Sequence, residues 1–306
     1  NTPQRPADQI SMIGFAAEPL DTVRIGVIGL GMRGPDAVDR FSHINGTQIV
    51  AICDLYPEKL ERTQKILERN GRARAAEYSG EEGWKELCNR EDTDLVYIVT
   101  SWQTHVPMAV YAMEHGKHVA IEVPAALSID ECWQLVNTAE RTQRHCMMLE
   151  NCCYDTWHLG VREMVRRGML GRIKHLEGAY AHTVPEGWMR AHGRRQGGNP
   201  YPTHALGPMC QLLPEGDTLD YLVSLSSPIP GDHTNTSLIR SVSGVSMLLH
   251  YDISTPRPYS RMQTICGTLG FLQKYPVPSI QIETKNGTVT MTGDEAVAYV
   301  ESFIPQ

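Results

Sequence analysis

The stretch Val23-Arg24-Ile25-Gly26-Val27-Ile28-Gly29-Leu30-Gly31-Met32-Arg33-Gly34 constrains the architecture more than any other part of the chain. Six residues, mostly apolar and β-branched, run straight into a glycine turn. Pro35 then opens a segment of helical spacing, Pro35–Phe41. Pro is well tolerated at the start of a helix, where its missing N–H would have had no partner. The order strand, turn, helix with Gly29-x-Gly31-x-x-Gly34 is that of a dinucleotide-binding turn. The first glycine allows the tight turn, the second lets a pyrophosphate approach the backbone, and the third lets helix and strand pack closely. Free N–H groups at the helix start favour a bound diphosphate.

Three glycines alone are weak evidence, so the context matters. A second strand, Gln48–Cys53, ends at Asp54, 20 residues after Gly34. A carboxylate there accepts hydrogen bonds from the adenosine ribose hydroxyls and repels a 2′-phosphate, which points to NAD rather than NADP. A surface aspartate at a strand end is the bland alternative, and the register of strand, glycines, helix and acid disfavours it.

From Val23 the chain alternates strand and helix. Helix Pro57–Asn70 with apolar Leu60 and Leu67, helix Gly83–Asn89, strand Asp94–Thr100, helix Val106–His115, strand His118–Glu122, helix Ile129–Thr142 and strand Cys146–Glu150 follow in turn. Ser128 and Glu131 form a capping box at the start of the last helix. Such alternation calls for an α/β fold with a doubly wound parallel sheet of the Rossmann type.

After Asn151 one helix, Thr156–Gly168, leads into strand-like segments: Lys174–Thr183, Thr218–Ser226, Ser237–Ser241, Val245–Ile253, Met262–Gly267, Ser279–Thr284 and Thr288–Thr292. Asn286-Gly287 is a strong hairpin signal. This pattern predicts an α+β domain with a largely antiparallel open sheet over 151–306, after a dinucleotide-binding domain over 23–150 and a polar, Pro-containing arm over 1–22. No internal repeat stands out.

The totals exclude several classes. A net charge of −7 without a basic stripe argues against nucleic-acid binding. No apolar run is long enough to span a bilayer. None of the 8 cysteines is spaced C-x-x-C, and several sit in apolar runs, so free buried thiols are expected and a metal site is not. The chain begins at Asn1 rather than Met, which leaves the removal of a leader open.

Ligands of open α/β sheets bind beyond the carboxyl ends of the strands. That rule nominates Met32 and Arg33, Asp54, Trp102, Gln103, Thr104 and His105, Glu122 and Val123, and Glu150 with Asn151. His105 reads equally as a helix-start histidine. In the second domain, Gly197-Gly-Asn-Pro-Tyr201-Pro202-Thr203-His204 places an aromatic hydroxyl and an imidazole three residues apart. A helix starting near Thr203 turns both rings the same way. Histidine suits proton transfer near neutral pH, while packing in a rigid loop is the equal alternative. Tyr180, in a strand-like run, carries a weaker signal.

With these residues the chain resembles the Gfo/Idh/MocA oxidoreductase family and, more narrowly, the NAD-dependent glycosidases of glycoside hydrolase family 109. The stretches carrying the likeness are GLGMRG (29–34), SWQTH (101–105), IEVPAAL (121–127), LENCCY (149–154), YPTHALGP (201–208), TPRPYSR (255–261) and GFLQKYPVP (270–278). One departure from the wider family supports the narrowing: family dehydrogenases carry Glu-Lys-Pro where this chain has Glu122-Val123-Pro124. Valine can neither protonate nor stabilise a reacting oxygen, so acid–base work must come from the second domain.

The resemblance implies cleavage of α-N-acetylgalactosaminides by transient NAD-dependent oxidation at C3 of the sugar, loss of the C2 proton, elimination of the C1 aglycone, addition of water and re-reduction. It does not need the paired carboxylates of ordinary glycosidases. His204, Tyr201, Tyr180 and Glu150 match the family's active-site positions, with His204 as principal base. Arg190, Pro202, Thr203 and Tyr275 join the tyrosines and His204 as substrate contacts. The alternatives are an NAD-dependent sugar dehydrogenase of the same fold and a non-catalytic NAD-binding sensor. The family likeness further implies a small-molecule glycoside partner, a homo-oligomer, and export to the periplasm or cell surface, with the cytoplasm as the alternative. The segments between Tyr180 and Tyr201 and after Gln211 are shorter than in the family, and relatives continue past the position of Gln306.

Overall fold

A computed structural model describes residues 5–7, 9–184 and 198–304. Two compact units divide the chain, Asn1–Leu149 and Glu150–Gln306.

In the first unit the alternating pattern becomes β1 (Val23–Ile28), α1 (Gly34–Ser42), β2 (Thr47–Asp54), α2 (Pro57–Arg69), β3 (Ala76–Ser79), α3 (Gly83–Cys88), β4 (Leu95–Ile98), α4 (Trp102–Glu114), β5 (His118–Ile121), α5 (Ile129–Thr142) and β6 (Cys146–Met148). The six strands are parallel in the order β3-β2-β1-β4-β5-β6. Strand order therefore reverses between β1 and β4, the point where ligands of such sheets bind beyond the carboxyl ends. Apolar runs are needed because both sheet faces are covered. Ile25 and Val27 of β1 pack with Leu60 and Leu67 of α2 on one face, while Ile28 packs with Val96, Val106 and Met113 on the other.

Two features differ from the sequence expectation. Strand β3, Ala-Glu-Tyr-Ser, is a half-exposed edge without an apolar run, so its pattern is silent. Helix α4 starts at Trp102 rather than Val106 and carries Pro107 inside it. Proline near a helix start is the commoner arrangement, which hides the first turn. The cap of α5 forms as expected at one end, Ser128 Oγ accepting the Glu131 N–H at 3.2 Å. Glu131 Oε2 accepts from Leu127 N at 2.6 Å, one residue before the cap. The N-terminal arm packs onto this unit: Gln143 Nε2 donates to Ile10 O at 3.0 Å, and Arg5 forms an ion pair with Glu140 at 2.8 Å.

The second unit opens with a 3-10 turn, Asn151–Cys153, then α6 (Thr156–Arg166), β7 (Ile173–Ala181), α7 (Thr203–Cys210), β8 (Leu219–Ser226), β9 (Thr234–Ser241), β10 (Ser246–Asp252), β11 (Gln263–Gly267), β12 (Gly270–Gln273), β13 (Ser279–Thr284), β14 (Gly287–Thr292) and α8 (Gly293–Glu301). Eight strands form a sheet in the order β14-β13-β12-β11-β7-β10-β9-β8, antiparallel except for the pair β7 and β10. The Asn286-Gly287 hairpin joins β13 to β14, with Gly287 at φ +110°. Its core sets Trp157, Val161 and Met164 of α6, Ala205 and Met209 of α7, and Ala296 and Val300 of α8 against Leu176, Met247, Leu249 and Ile265 of the sheet. Gly160 permits the α6–α8 contact, since a Cβ there would meet Val300 O at 2.2 Å. Every residue of edge strand β8 is exposed. Strand β12 and helix α8 lie outside the segments that the sequence pattern marks as strand or helix. Among the described residues no helix is long and apolar enough to cross a membrane.

Candidate active site

The glycine turn behaves as its spacing demands. Gly29 sits at φ +99°, and a Cβ there would meet Val99 O at 2.6 Å. A Cβ on Gly34 would lie 2.1 Å from Gly29 O, so helix α1 can start this close only with glycine. Around Gly31 nothing lies within 4 Å of an added Cβ, leaving its backbone open to a ligand. Met32 and Arg33 are exposed beside it. Asp54, at the end of β2, is buried and accepts the Leu30 N–H at 2.7 Å, which locks the carboxylate to the turn. An open glycine backbone at a helix N-terminus, with a fixed carboxylate beside it, fits a dinucleotide.

The loops after β4 and β5 are tied to each other. His105 is buried, with Nδ1 2.8 Å from Pro124 O and Nε2 3.2 Å from Thr100 O. Thr104 Oγ1 lies 2.7 Å from Thr100 Oγ1 and donates to Ser101 O. Trp102 is buried and Gln103 exposed. Glu122 accepts from the hydroxyl of buried Tyr97 at 2.5 Å, and the phenol is pushed upward by burial and by the charge of Glu122. Val123 is buried and precedes a cis bond to Pro124. These side chains shape the loops at the strand ends.

In the second unit, Glu150, Tyr180, Tyr201 and His204 converge. Glu150 opens the 3-10 turn, and its Oε1 accepts the Cys152 N–H at 3.0 Å. The same oxygen lies 2.5 Å from His204 Nδ1, and each of the two residues is 4% exposed. Oε2 is buried, with no hydrogen bond made to it by geometric criteria among the described residues. Burial raises the carboxyl of Glu150, but the hydrogen bond and charge of His204, with the Cys152 N–H, outweigh it and hold the group below its usual range. Gly207 makes this approach possible: a Cβ there would sit 3.3 Å from Glu150 Cγ and 3.0 Å from Cys153 Sγ.

The tyrosines close around the imidazole. The Tyr201 ring is 4.7 Å from that of His204, nearly perpendicular at 87°. Tyr180 lies 5.5 Å from His204 and 5.1 Å from Tyr201. Asn199 Oδ1 accepts the Tyr201 N–H at 3.0 Å and sets the loop before α7. Pro202 caps that helix and Thr203 begins it, so Tyr201 and His204 do face the same way. Gly178 of β7 lets α7 lie close, since a Cβ there would be 3.0 Å from Ala205 Cβ.

Sequence reasoning passed over several members of this cluster. Tyr251 stacks at 6.2 Å on Tyr180, and His182 bridges Tyr180 at 4.8 Å to Tyr259 at 5.0 Å. The guanidinium of Arg261 lies 5.9 Å from the Tyr180 ring and donates to Cys152 Sγ. The signal for Tyr259 and Arg261 was present in TPRPYSR. Tyr275, half-buried before a cis bond to Pro276, lies 6.4 Å from Tyr259, its one ring contact with the cluster among the described residues. Asn151 is exposed in the turn. Arg190 lies outside the described residues.

Glu150, Cys152 and His204 bring ligand atoms within 4.8 Å of one another. Their chemistry suits a cation poorly: burial pushes the Cys152 thiol up to about 12, Arg261 already donates to its sulfur, and Nδ1 of His204 is spent on Glu150.

Residues 23–150 match the family model described as the oxidoreductase family, NAD-binding Rossmann fold, and residues 229–303 match the glycosyl hydrolase 109 C-terminal domain. The chain is 46% identical over 317 residues to the α-N-acetylgalactosaminidase of Bacteroides fragilis, covering 92% of this chain and 75% of that protein. It is 47% identical over 305 residues to glycosyl hydrolase family 109 protein 1 of Bacteroides thetaiotaomicron, covering 90% of this chain and 65% of the relative. Among solved structures, the aldose-aldose oxidoreductase from Caulobacter crescentus superposes with a TM-score of 0.73 at 18% identity, covering 92% and 88% of the two chains. Levoglucosan dehydrogenase in complex with NADH gives 0.71 at 16%, over 89% and 79%. Those likenesses establish the two-part fold, whereas the Bacteroides relatives establish the lineage: the chain belongs to glycoside hydrolase family 109, with an NAD-binding Rossmann fold as its N-terminal unit.

Proposed function

We propose that the chain hydrolyses α-N-acetylgalactosaminides with NAD as a resident cofactor, His204 being the proton carrier. The observation that carries the reading is the buried Glu150–His204 pair among tyrosines, in a chain 46% identical to an enzyme named for that substrate.

Gly29, Gly31 and Gly34 with Asp54 would hold the dinucleotide. When bound, NAD supplies the reversible oxidation of a sugar carbon, which acidifies the neighbouring C–H. An ionised carboxylate can only accept, so Glu150 keeps the proton of His204 on Nδ1 and leaves Nε2 as the base. After Nε2 takes a proton, Glu150 stabilises the imidazolium, the role a buried carboxylate plays beside a catalytic histidine. The same nitrogen then gives that proton as a general acid to the departing aglycone oxygen, and when water adds to C1 the hydrogen restored to C2 comes from solvent. The phenols of Tyr180 and Tyr201, packed on the imidazole, supply donors for an oxyanion developing next to the carbon that loses its proton.

Hydrolysis of p-nitrophenyl α-N-acetylgalactosaminide in D₂O tests the reading. Release of p-nitrophenol, deuterium at C2 of the freed sugar and no net build-up of reduced nicotinamide are expected. Hydrolysis without deuterium at C2 would overturn it, and steady accumulation of reduced nicotinamide without hydrolysis would make the chain a sugar dehydrogenase.

A further inference from the structure

The carboxylate of Asp54 is more heavily engaged than ribose recognition alone requires. Oδ2 accepts the Leu30 N–H at 2.7 Å, and Oδ1 accepts the Tyr56 N–H at 3.1 Å. Lys59 Nζ, from the first turn of α2, lies 3.2 Å from the same Oδ1. Each carboxylate oxygen offers roughly two acceptor sites. Oδ1 is thus filled by the protein itself, and Oδ2 keeps one site for a ligand. The Asp54 side chain is 8% exposed, so it cannot swing away to make more room.

Lys59 is equally well placed. Its ammonium sits 4.6 Å from the centroid of the Tyr56 ring as well as on Asp54, while its side chain stays 34% exposed. An ammonium has three donors, and its contact with Asp54 is an ion pair at 3.2 Å. The pair is close to neutral as a unit, so the repulsion that a lone carboxylate exerts on a phosphate is largely cancelled.

We propose that Lys59 is a second determinant of cofactor choice: it fills the outer oxygen of Asp54 and offers a cation to the 2′ substituent of the adenosine ribose. The NAD preference read from Asp54 is therefore shallow, and removing the aspartate's charge turns the position into a phosphate-binding one. The proposal rests on the dinucleotide reading of the glycine turn.

The test is a titration of the full chain, freed of bound dinucleotide, with NAD⁺ and separately with NADP⁺, following the rise in melting temperature. Four proteins are compared: the natural chain, Lys59→Ala, Asp54→Asn and the double variant. Asp54→Asn should tighten NADP⁺ about tenfold relative to NAD⁺, and adding Lys59→Ala should remove that gain, as expected for one charge-assisted contact to phosphate. Lys59→Ala alone should weaken NADP⁺ binding more than NAD⁺ binding. Lys59 is partly exposed, so its variant folds even if Asp54→Asn does not. Equal effects of Lys59→Ala on both dinucleotides, or a double variant that keeps the NADP⁺ gain, would overturn the proposal. Failure of every protein to bind either dinucleotide would instead overturn the dinucleotide reading and this proposal with it.

Discussion

Glu150 Oε1 lies 2.5 Å from His204 Nδ1, joining two buried side chains 54 residues apart in the chain. The pair sets the tautomer of the imidazole and keeps a charge inside the second unit. Two different substitutions therefore separate its chemical role from its structural one. Glu150→Gln keeps the shape but lets the partner donate as well as accept, so kcat should fall by about 10²–10⁴-fold with KM little changed. Glu150→Ala leaves His204 without its partner, and the melting curve should shift as for a broken buried pair, about 3–5 kcal/mol. Steady-state kinetics and thermal melts on the two variants check both.

His158 sits 2.9 Å from Gln263 Nε2 through Nδ1 and 3.0 Å from Gln211 Oε1 through Nε2. Burial is the main cause that holds its pKa below the usual histidine value. The unfolded chain therefore binds this proton more readily than the folded one. Stability from this group is fully present above about pH 6.5 and is lost as pH falls toward the folded value. His182 and His250 are shifted the same way by burial. Melting temperature should fall between pH 7.5 and 5.5, and His158→Gln should flatten that slope.

The glycine turn predicts a contrast between neighbours. Gly34→Ala places a Cβ against Gly29 O at 2.1 Å, and backbone cannot yield cheaply. The variant should lose at least the roughly 1–3 kcal/mol of an overpacked site, together with NAD binding. Gly31→Ala meets nothing within 4 Å and should melt like the natural chain, yet bind NAD more weakly because the methyl group stands where the pyrophosphate approaches. Melts and NAD titrations of both variants decide it.

Thiol chemistry offers a further check. Burial pushes Cys53, Cys88 and Cys152 up to about 12, and Cys146 and Cys153 to about 11. Only thiolates react quickly. At pH 8 a thiol reagent should modify exposed Cys132 promptly, and these five should respond only after unfolding. Mass spectrometry of the labelled peptides reads the order.

The limits of local pattern show at particular residues. Leu60 and Leu67 announce the buried face of α2 because helical period and burial coincide. Strand β3 and the first turn of α4 escape notice, one because an edge needs no apolar run, the other because Pro107 imitates a helix start. In the site, YPTH declares an aromatic and an imidazole on one helical turn. Nothing local says that Tyr180 packs against both rings, or that Tyr251, His182 and Arg261 in turn crowd Tyr180.

Sequence by itself therefore determined the parallel sheet and the glycine turn with its carboxylate, since each depends on short-range period or spacing. Only the tertiary structure decided who partners whom. Glu150 meets His204 because Gly207 lets a carboxylate lie against α7, and Asp54 pairs with Lys59 because only two residues separate the strand end from the start of α2. Such pairings are set by how helices pack against the sheets, a property of distance in space that residue order does not carry.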